Sequence, residues 1–501
     1  MRESGILMPI FSLPGKYGIG SFSKEAYRFV DFLAEAGQKY WQILPLGPTG
    51  FGDSPYQSFS CFAGNPYFIS LERLEEKGLL LHSECEQYDF GKNLSRVDYE
   101  KLYANRILIL ERAFERFLVS EKKSSSFERF VKENDFWLKD YALFMTLKEA
   151  FGGKPLAEWE DFYRKREEVV LEEFEKVNQK RIKLYYYIQY EFFCQWEALK
   201  TYANGKGIGI IGDIPIYVSA DGADIWGCPE AFQVDGDGRM TAVAGCPPDS
   251  FTKDGQLWGN PLYNWEYHKR TGYAWWIRRF RKCLELYDII RIDHFRGFDA
   301  YYSIPADSKT AAGGEWKEGP GLELFTALKE EFGEMPIIVE DLGYMTDSVR
   351  KLVKDTGFPN MKVLQFAFDS RTDTKEGGNE YLPYFYDKNS VVYTGTHDNE
   401  TLMGYLQNMS GNDKKLLRSY LGMSKHCSDR KTAQMFLRLA QASVSELCII
   451  PLADYLFLDN RARINEPATT GDNWSFRIKQ GMLRKKLAKN IKRLTRIYGR
   501  I

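Results

Sequence analysis

What the chain lacks narrows it first. Its eight cysteines (Cys61, Cys85, Cys194, Cys228, Cys246, Cys283, Cys427, Cys448) include no C-x-x-C pair, and its five histidines show no ligand spacing. Neither a zinc site nor a disulfide framework is signalled. No apolar run approaches the roughly 18 residues that a membrane span needs. The short apolar patch from Ile6 to Leu13 is interrupted by Pro9 and Ser12, which argues against a secretion leader. A net charge of -1 over 501 residues leaves no global pull towards polyanions. The expectation is a cytoplasmic globular protein with reduced thiols and neither a nucleic-acid nor a membrane partner.

Aromatic residues, by contrast, are abundant at 15%, with 11 Trp, 31 Tyr and 34 Phe. Many must be core, but Trp and Tyr beside Gly- and Pro-rich loops also suit the C–H faces of sugar rings. Short apolar runs recur along the chain, each ending in a loop rich in Gly, Pro, Asp or Ser. Eight read as strands: Gly5 to Met8, Tyr40 to Leu44, Ile208 to Asp213, Asp288 to Asp293, Pro336 to Glu340, Lys362 to Phe366, Ser390 to Gly395 and Cys448 to Pro451. Helical periodicity fills most of the intervals, as in Ser23 to Ala36 and Leu322 to Phe332. Strands alternating with helices predict an α/β fold, a (β/α)8 TIM barrel, with a doubly wound sheet as the other arrangement.

Two stretches exceed ordinary connections. Residues 71–206, rich in Glu, Lys, Leu and aromatics, predict a helical insertion after a first barrel portion at 1–70. Residues 214–287, dense in Gly, Asp, Pro and aromatics towards their start, predict an irregular lobe over the C-terminal mouth. Residues 207–213 then form the third barrel strand and 288–501 the remainder of the barrel. The basic end from Asn473 to Ile501 carries an apolar stripe (Leu483, Leu487, Ile491, Leu494, Tyr498), so it reads as a last barrel helix.

Two motifs mislead. Gly207-Ile208-Gly209-Ile210-Ile211-Gly212 matches a dinucleotide fingerprint by letter, but a helical segment precedes it and Asp213-Ile214-Pro215 follows, the reverse of the required context. Asp235-Gly236-Asp237-Gly238 lacks the later acid of a calcium loop and reads as a tight turn.

Acids at strand ends carry more weight. Asp213, Asp293 and Glu340 close three successive strands, and Asp398 follows a fourth within Thr394-Gly395-Thr396-His397-Asp398-Asn399. One such acid alone is as readily a structural ion-pair partner. Four at one barrel mouth repel one another and call for a function. Arg291 and Asp293 lie two apart and so share a strand face, where the cation favours the carboxylate form a nucleophile requires. Glu340 follows Ile337-Ile338-Val339, apolar surroundings that favour a protonated general acid. Adjacent strands would bring their carboxyls to the roughly 5 to 5.5 Å of a retaining glycosidase. His294 and His397 each neighbour an acid and suit hydrogen bonds to sugar hydroxyls.

Taken together, the residues resemble the 4-α-glucanotransferases (amylomaltase or disproportionating enzyme), relatives of the α-amylases. The resemblance runs nearly end to end, through Ser54-Pro55-Tyr56-Gln57-Ser58, Gly245-Cys246-Pro247-Pro248-Asp249, Gly255-Gln256-Leu257-Trp258-Gly259-Asn260-Pro261, Arg291-Ile292-Asp293-His294-Phe295-Arg296-Gly297, Glu340-Asp341-Leu342-Gly343 and Thr396-His397-Asp398-Asn399. It implies retaining transfer of α-1,4-glucan and maltooligosaccharide segments with no metal or cofactor, Asp293 as nucleophile, Glu340 as acid and base, and Asp398 as third acid. It further implies a supporting subsite of Asp213, Arg291, His294 and His397, and grooves lined by Tyr56, Asp249, Phe251 and Trp258. The alternative within the same chemistry is an α-1,4-glucan hydrolase of the α-amylase type. Departures come late: Ala453 stands where the family usually has Gln, and Arg463-Ile464-Asn465-Glu466-Pro467-Ala468 replaces a commoner Met and Thr-Pro-Gly run.

Overall fold

The structure, a computed structural model, describes residues 2–501 except 51, 121–124, 249–253, 344, 372–378 and 470. Its strands are β1 (Glu3–Leu7), β2 (Tyr40–Gln42), β3 (Gly209–Pro215), β4 (Ala242–Cys246), β5 (Gln256–Pro261), β6 (Ile289–Asp293), β7 (Ala300–Pro305), β8 (Glu315–Glu318), β9 (Ile337–Val339), β10 (Asn360–Val363), β11 (Ser390–Tyr393) and β12 (Leu447–Pro451). Eight of them close a barrel in the order β1-β12-β11-β10-β9-β6-β3-β2, with every neighbouring pair parallel. The fold is the (β/α)8 barrel.

Two-residue periodicity divides each strand between two cores. Leu7, Ile211, Ile338, Met361, Val363, Val391, Tyr393, Leu447 and Ile449 pack together inside the barrel. Their sequence neighbours Ile6, Ile210, Val339, Val392, Cys448 and Ile450, with Ile290 and Ile292 of β6, join the larger core shared with the helices. Continuing the inward register along β6 and β9 places Arg291, Asp293 and Glu340 on the interior side.

The helices start and stop for local reasons. Asp347–Thr356 is capped by the Thr346 hydroxyl on the Val349 N–H and ends at left-handed Gly357 (φ 70°). The basic C-terminal helix, Lys485–Ile497, buries Ala488, Ile491 and Thr495. It packs against Lys24–Glu35. Residues 71–205 are helical in the main, and the long helix Glu168–Gly205 is bent at Asn178 (φ -105°, ψ 17°), whose side chain donates to the Phe174 carbonyl.

Two expectations need correction. The sixth barrel strand is Asn360–Val363 rather than Lys362 to Phe366; Leu364–Phe366 is a 3-10 turn. Residues 214–287 are not wholly irregular. β4 and β5 form an antiparallel sheet with β7 and β8, in the order β5-β4-β7-β8, and Ala274–Leu286 is a helix that buries Trp275, Trp276 and Phe280. One partner of β4, β7, arrives from beyond β6, so no local periodicity announces that pairing.

Candidate active site

Strand register assembles the site. Asp213 on β3 stands opposite Arg291 on β6, and Pro215 opposite Asp293. Ile292 stands opposite Val339 on β9, so the next positions, Asp293 and Glu340, sit side by side at the barrel mouth.

Arg291 is the pivot. Its Nη1 donates to both Asp213 oxygens at 2.7 and 2.6 Å, and its Nη2 lies 3.1 Å from Asp293 Oδ1. The Arg291 side chain is 3% exposed and that of Asp213 0%, whereas Asp293 retains 28% exposure towards the cleft. Asp213 takes a further hydrogen bond from the Tyr56 hydroxyl at 2.7 Å. Both of its oxygens are therefore occupied, and it braces Arg291 from behind the cleft wall instead of bordering the cleft.

The chain turns sharply after β6 because His294 adopts a left-handed conformation (φ 54°). That turn aims the His294 N–H at Glu340 Oε2 (2.7 Å), while the Leu342 N–H donates to Glu340 Oε1 (2.8 Å). Burial, and then the neighbouring Asp293 charge, outweigh these donors and push Glu340 up to about 8. Burial also raises Asp293, to about 6, against the opposing pull of Arg291. Asp293 is thus the first of the pair to ionise, and a pH window exists in which it is charged while Glu340 keeps its proton. The His294 imidazole, half-buried in the cleft wall, is pushed down to about 3, first by desolvation and then by Arg296, and stays neutral. Its ring meets Trp258 edge to face at 4.8 Å.

Across the mouth, His397 stacks on Tyr56 (ring centroids 5.1 Å, planes at 13°) and places Nε2 3.2 Å from Asp398 Oδ1. The Asn465 amide donates to the same oxygen at 2.6 Å.

One cleft of about 990 Å³ takes in Tyr56, Trp258, Arg291, Asp293, His294, Glu340, His397 and Asp398. Asp249 and Phe251, expected in the grooves, lie outside the described residues. Tyr217, Phe366, Asn465 and Trp474 border the cleft as well, and sequence reasoning did not single them out as site residues. Asn465 was marked only by its place in the stretch that departs from the family pattern, and the other three only by an aromatic side chain, shared by many residues that line nothing. The stretch that departs from the family pattern also reaches the cleft, through Asn465, Pro467 and Ala468.

A pair of half-buried carboxyls with separated proton affinities, one beside a fixed cation, can do nucleophilic and acid–base work on an acetal. Comparison with known proteins agrees. A family model described as 4-alpha-glucanotransferase matches residues 8–483. A 4-alpha-glucanotransferase of Streptococcus pneumoniae is 48% identical over 503 residues, covering 100% of this chain and 98% of its own length. One of Thermus thermophilus is 45% identical, covering 96% of each chain. The amylomaltase of Streptococcus agalactiae, solved in complex with acarbose, superposes with a TM-score of 0.96 at 43% identity over 100% of both chains.

Proposed function

The chain belongs to the 4-alpha-glucanotransferase family and is an enzyme of that activity; from that premise we propose which of its side chains carry the transfer. Asp293 attacks the anomeric carbon of an α-1,4-glucan, and Glu340 gives its proton to the departing glycosidic oxygen. The glycosidic bond breaks as the Asp293 ester forms. Glu340, now a carboxylate, takes the proton from the 4-hydroxyl of an incoming glucan, whose oxygen displaces Asp293 from the same carbon. Two inversions leave the α configuration unchanged. Asp398 holds hydroxyls of the distorted ring, and Tyr56, Trp258, His294 and His397 line the sugar sites. Arg291 keeps Asp293 the more acidic of the pair, and Asp213 keeps Arg291 in place.

The observation that carries this assignment is the register of β6 on β9, which sets the Arg291-supported Asp293 beside Glu340. Transfer requires the ester to meet sugar before water. Gln256 to Trp258 and Pro467 to Thr469, which border the cleft, are the segments proposed to narrow the approach of water. Hydrolysis as the main reaction is disfavoured by the family to which the chain belongs. The cytoplasm is the proposed compartment, a reading supported by the buried thiols of Cys85, Cys283 and Cys448, which are in no disulfide.

A time course of products from maltotriose tests the assignment. Glucose and maltooligosaccharides longer than maltotriose should accumulate with no net gain in reducing ends, and Asp293→Asn should abolish both while retaining the parent's circular dichroism. Reducing ends that rise without longer products would refute transfer; an active Asp293→Asn would refute the nucleophile.

A further inference from the structure

The segment from Arg463 to Trp474 is fastened to the corner that presents Asp398. Arg463 Nη2 donates to the Asp398 carbonyl at 2.9 Å and its Nε to the Asn465 carbonyl at 2.8 Å. The Asn465 N–H donates to the His397 carbonyl at 3.1 Å, and the Trp474 N–H to the Ile464 carbonyl at 2.7 Å. The Trp474 ring lies 5.7 Å from Tyr56 and 6.0 Å from His397. Ala468 and Trp474 are held left-handed (φ 61° and 60°), conformations that persist only where surrounding contacts enforce them.

Asp398 needs such a hold. Glu340 is clamped by two backbone N–H groups. The Asp398 side chain is 43% exposed, and among the described residues both of its side-chain contacts, Asn465 Nδ2 and His397 Nε2, fall on Oδ1. We propose that Asn465 is a positioning residue for Asp398, its amide locking the carboxylate through Oδ1 so that Oδ2 is left to the sugar. The segment's seat thereby sets the geometry of the third acid. The inference rests on the assignment of Asp398 made above.

Three variants test it on maltotriose. Asn465→Ala should lower kcat about 100-fold, the loss expected when a group that orients the substrate is misplaced by about 1 Å. KM should stay within about twofold and the thermal midpoint near the parent's. Asn465→Asp keeps the shape but sets a second carboxyl against the first, so the second proton leaves the pair only at a higher pH. The titratable and charged groups around this pair are His397, Arg463 with its partner Glu466, and, across the cleft, Asp293. In that variant the introduced carboxyl, while protonated, donates to Asp398 as the amide does, whereas its anion repels Asp398. Activity of Asn465→Asp relative to the parent should therefore climb as pH falls. Parent-like kcat in Asn465→Ala, or a flat ratio in Asn465→Asp, overturns the positioning role. Asp398→Asn, measured beside them, separates the two levels. Its loss of turnover alongside an unaffected Asn465→Ala refutes the positioning role alone, and its parent-like turnover refutes Asp398 as third acid and the inference with it.

Discussion

Replacing Glu340 by Gln separates two duties that the pH profile of the parent combines. Asp293 must be charged to attack, and Glu340 must hold a proton to release the leaving sugar. Burial places Asp293 at about 6 and Glu340 at about 8. kcat/KM on maltotriose should therefore rise with pH through about 6 and fall through about 8, peaking near 7. At pH 5 and at pH 9, one unit outside each limb, about a tenth of the maximum should remain. Glu340→Gln keeps the side chain's length but has no acidic proton, so turnover of maltotriose should drop about 10²- to 10⁴-fold. α-Maltosyl fluoride removes that need, because fluoride departs without a proton. First-turnover fluoride release by Glu340→Gln should thus approach the parent's rate, keep the limb near 6 and lose the limb near 8. Rapid mixing with a fluoride electrode, from pH 4 to 10, reads both limbs. A limb near 8 that persists in the variant would assign that proton to another group and refute the reasoning.

Arg291→Met leaves Asp213 buried, and Asp293 half-buried, without their cation and should cost about 3 to 5 kcal/mol in urea denaturation at pH 7. Adding Asp213→Asn should recover part of that loss; equal stabilities for the single and double variants would contradict the ion-pair account. Gly212→Ala on β3 would place a methyl 2.1 Å from the Tyr287 ring and should destabilise by about 1 to 3 kcal/mol, read in the same assay. Trp258→Ala removes the indole beside His294 and should raise KM for maltotriose about tenfold with kcat nearly unchanged; a loss confined to kcat would speak against a binding wall.

Much of the barrel is legible in the chain because each strand is a short apolar run with its own turn signals. Even so, at the sixth strand the apolar run continues past Val363 into the Leu364–Phe366 turn, and apolar content cannot say where the extended backbone stops. The β5-β4-β7-β8 sheet was invisible for another reason. Its strands are four to six residues long, and β4 pairs with β7 from the far side of β6.

The site divides the same way. Arg291 and Asp293 share a face because side chains alternate along any strand, and Glu340 and Asp398 follow strands that their own apolar runs define; such relations need no tertiary structure. Local sequence therefore determined the architecture and the four acids at its mouth. Only the closed barrel decided that Asp213 turns its carboxylate to Arg291 instead of to the cleft, that Asp293 and Glu340 hold their protons so differently, and that Asn465, 67 residues from Asp398 along the chain, grips it at 2.6 Å. Those outcomes depend on which groups exclude water and which donors arrive from distant loops, and neither is a property of any one stretch of chain.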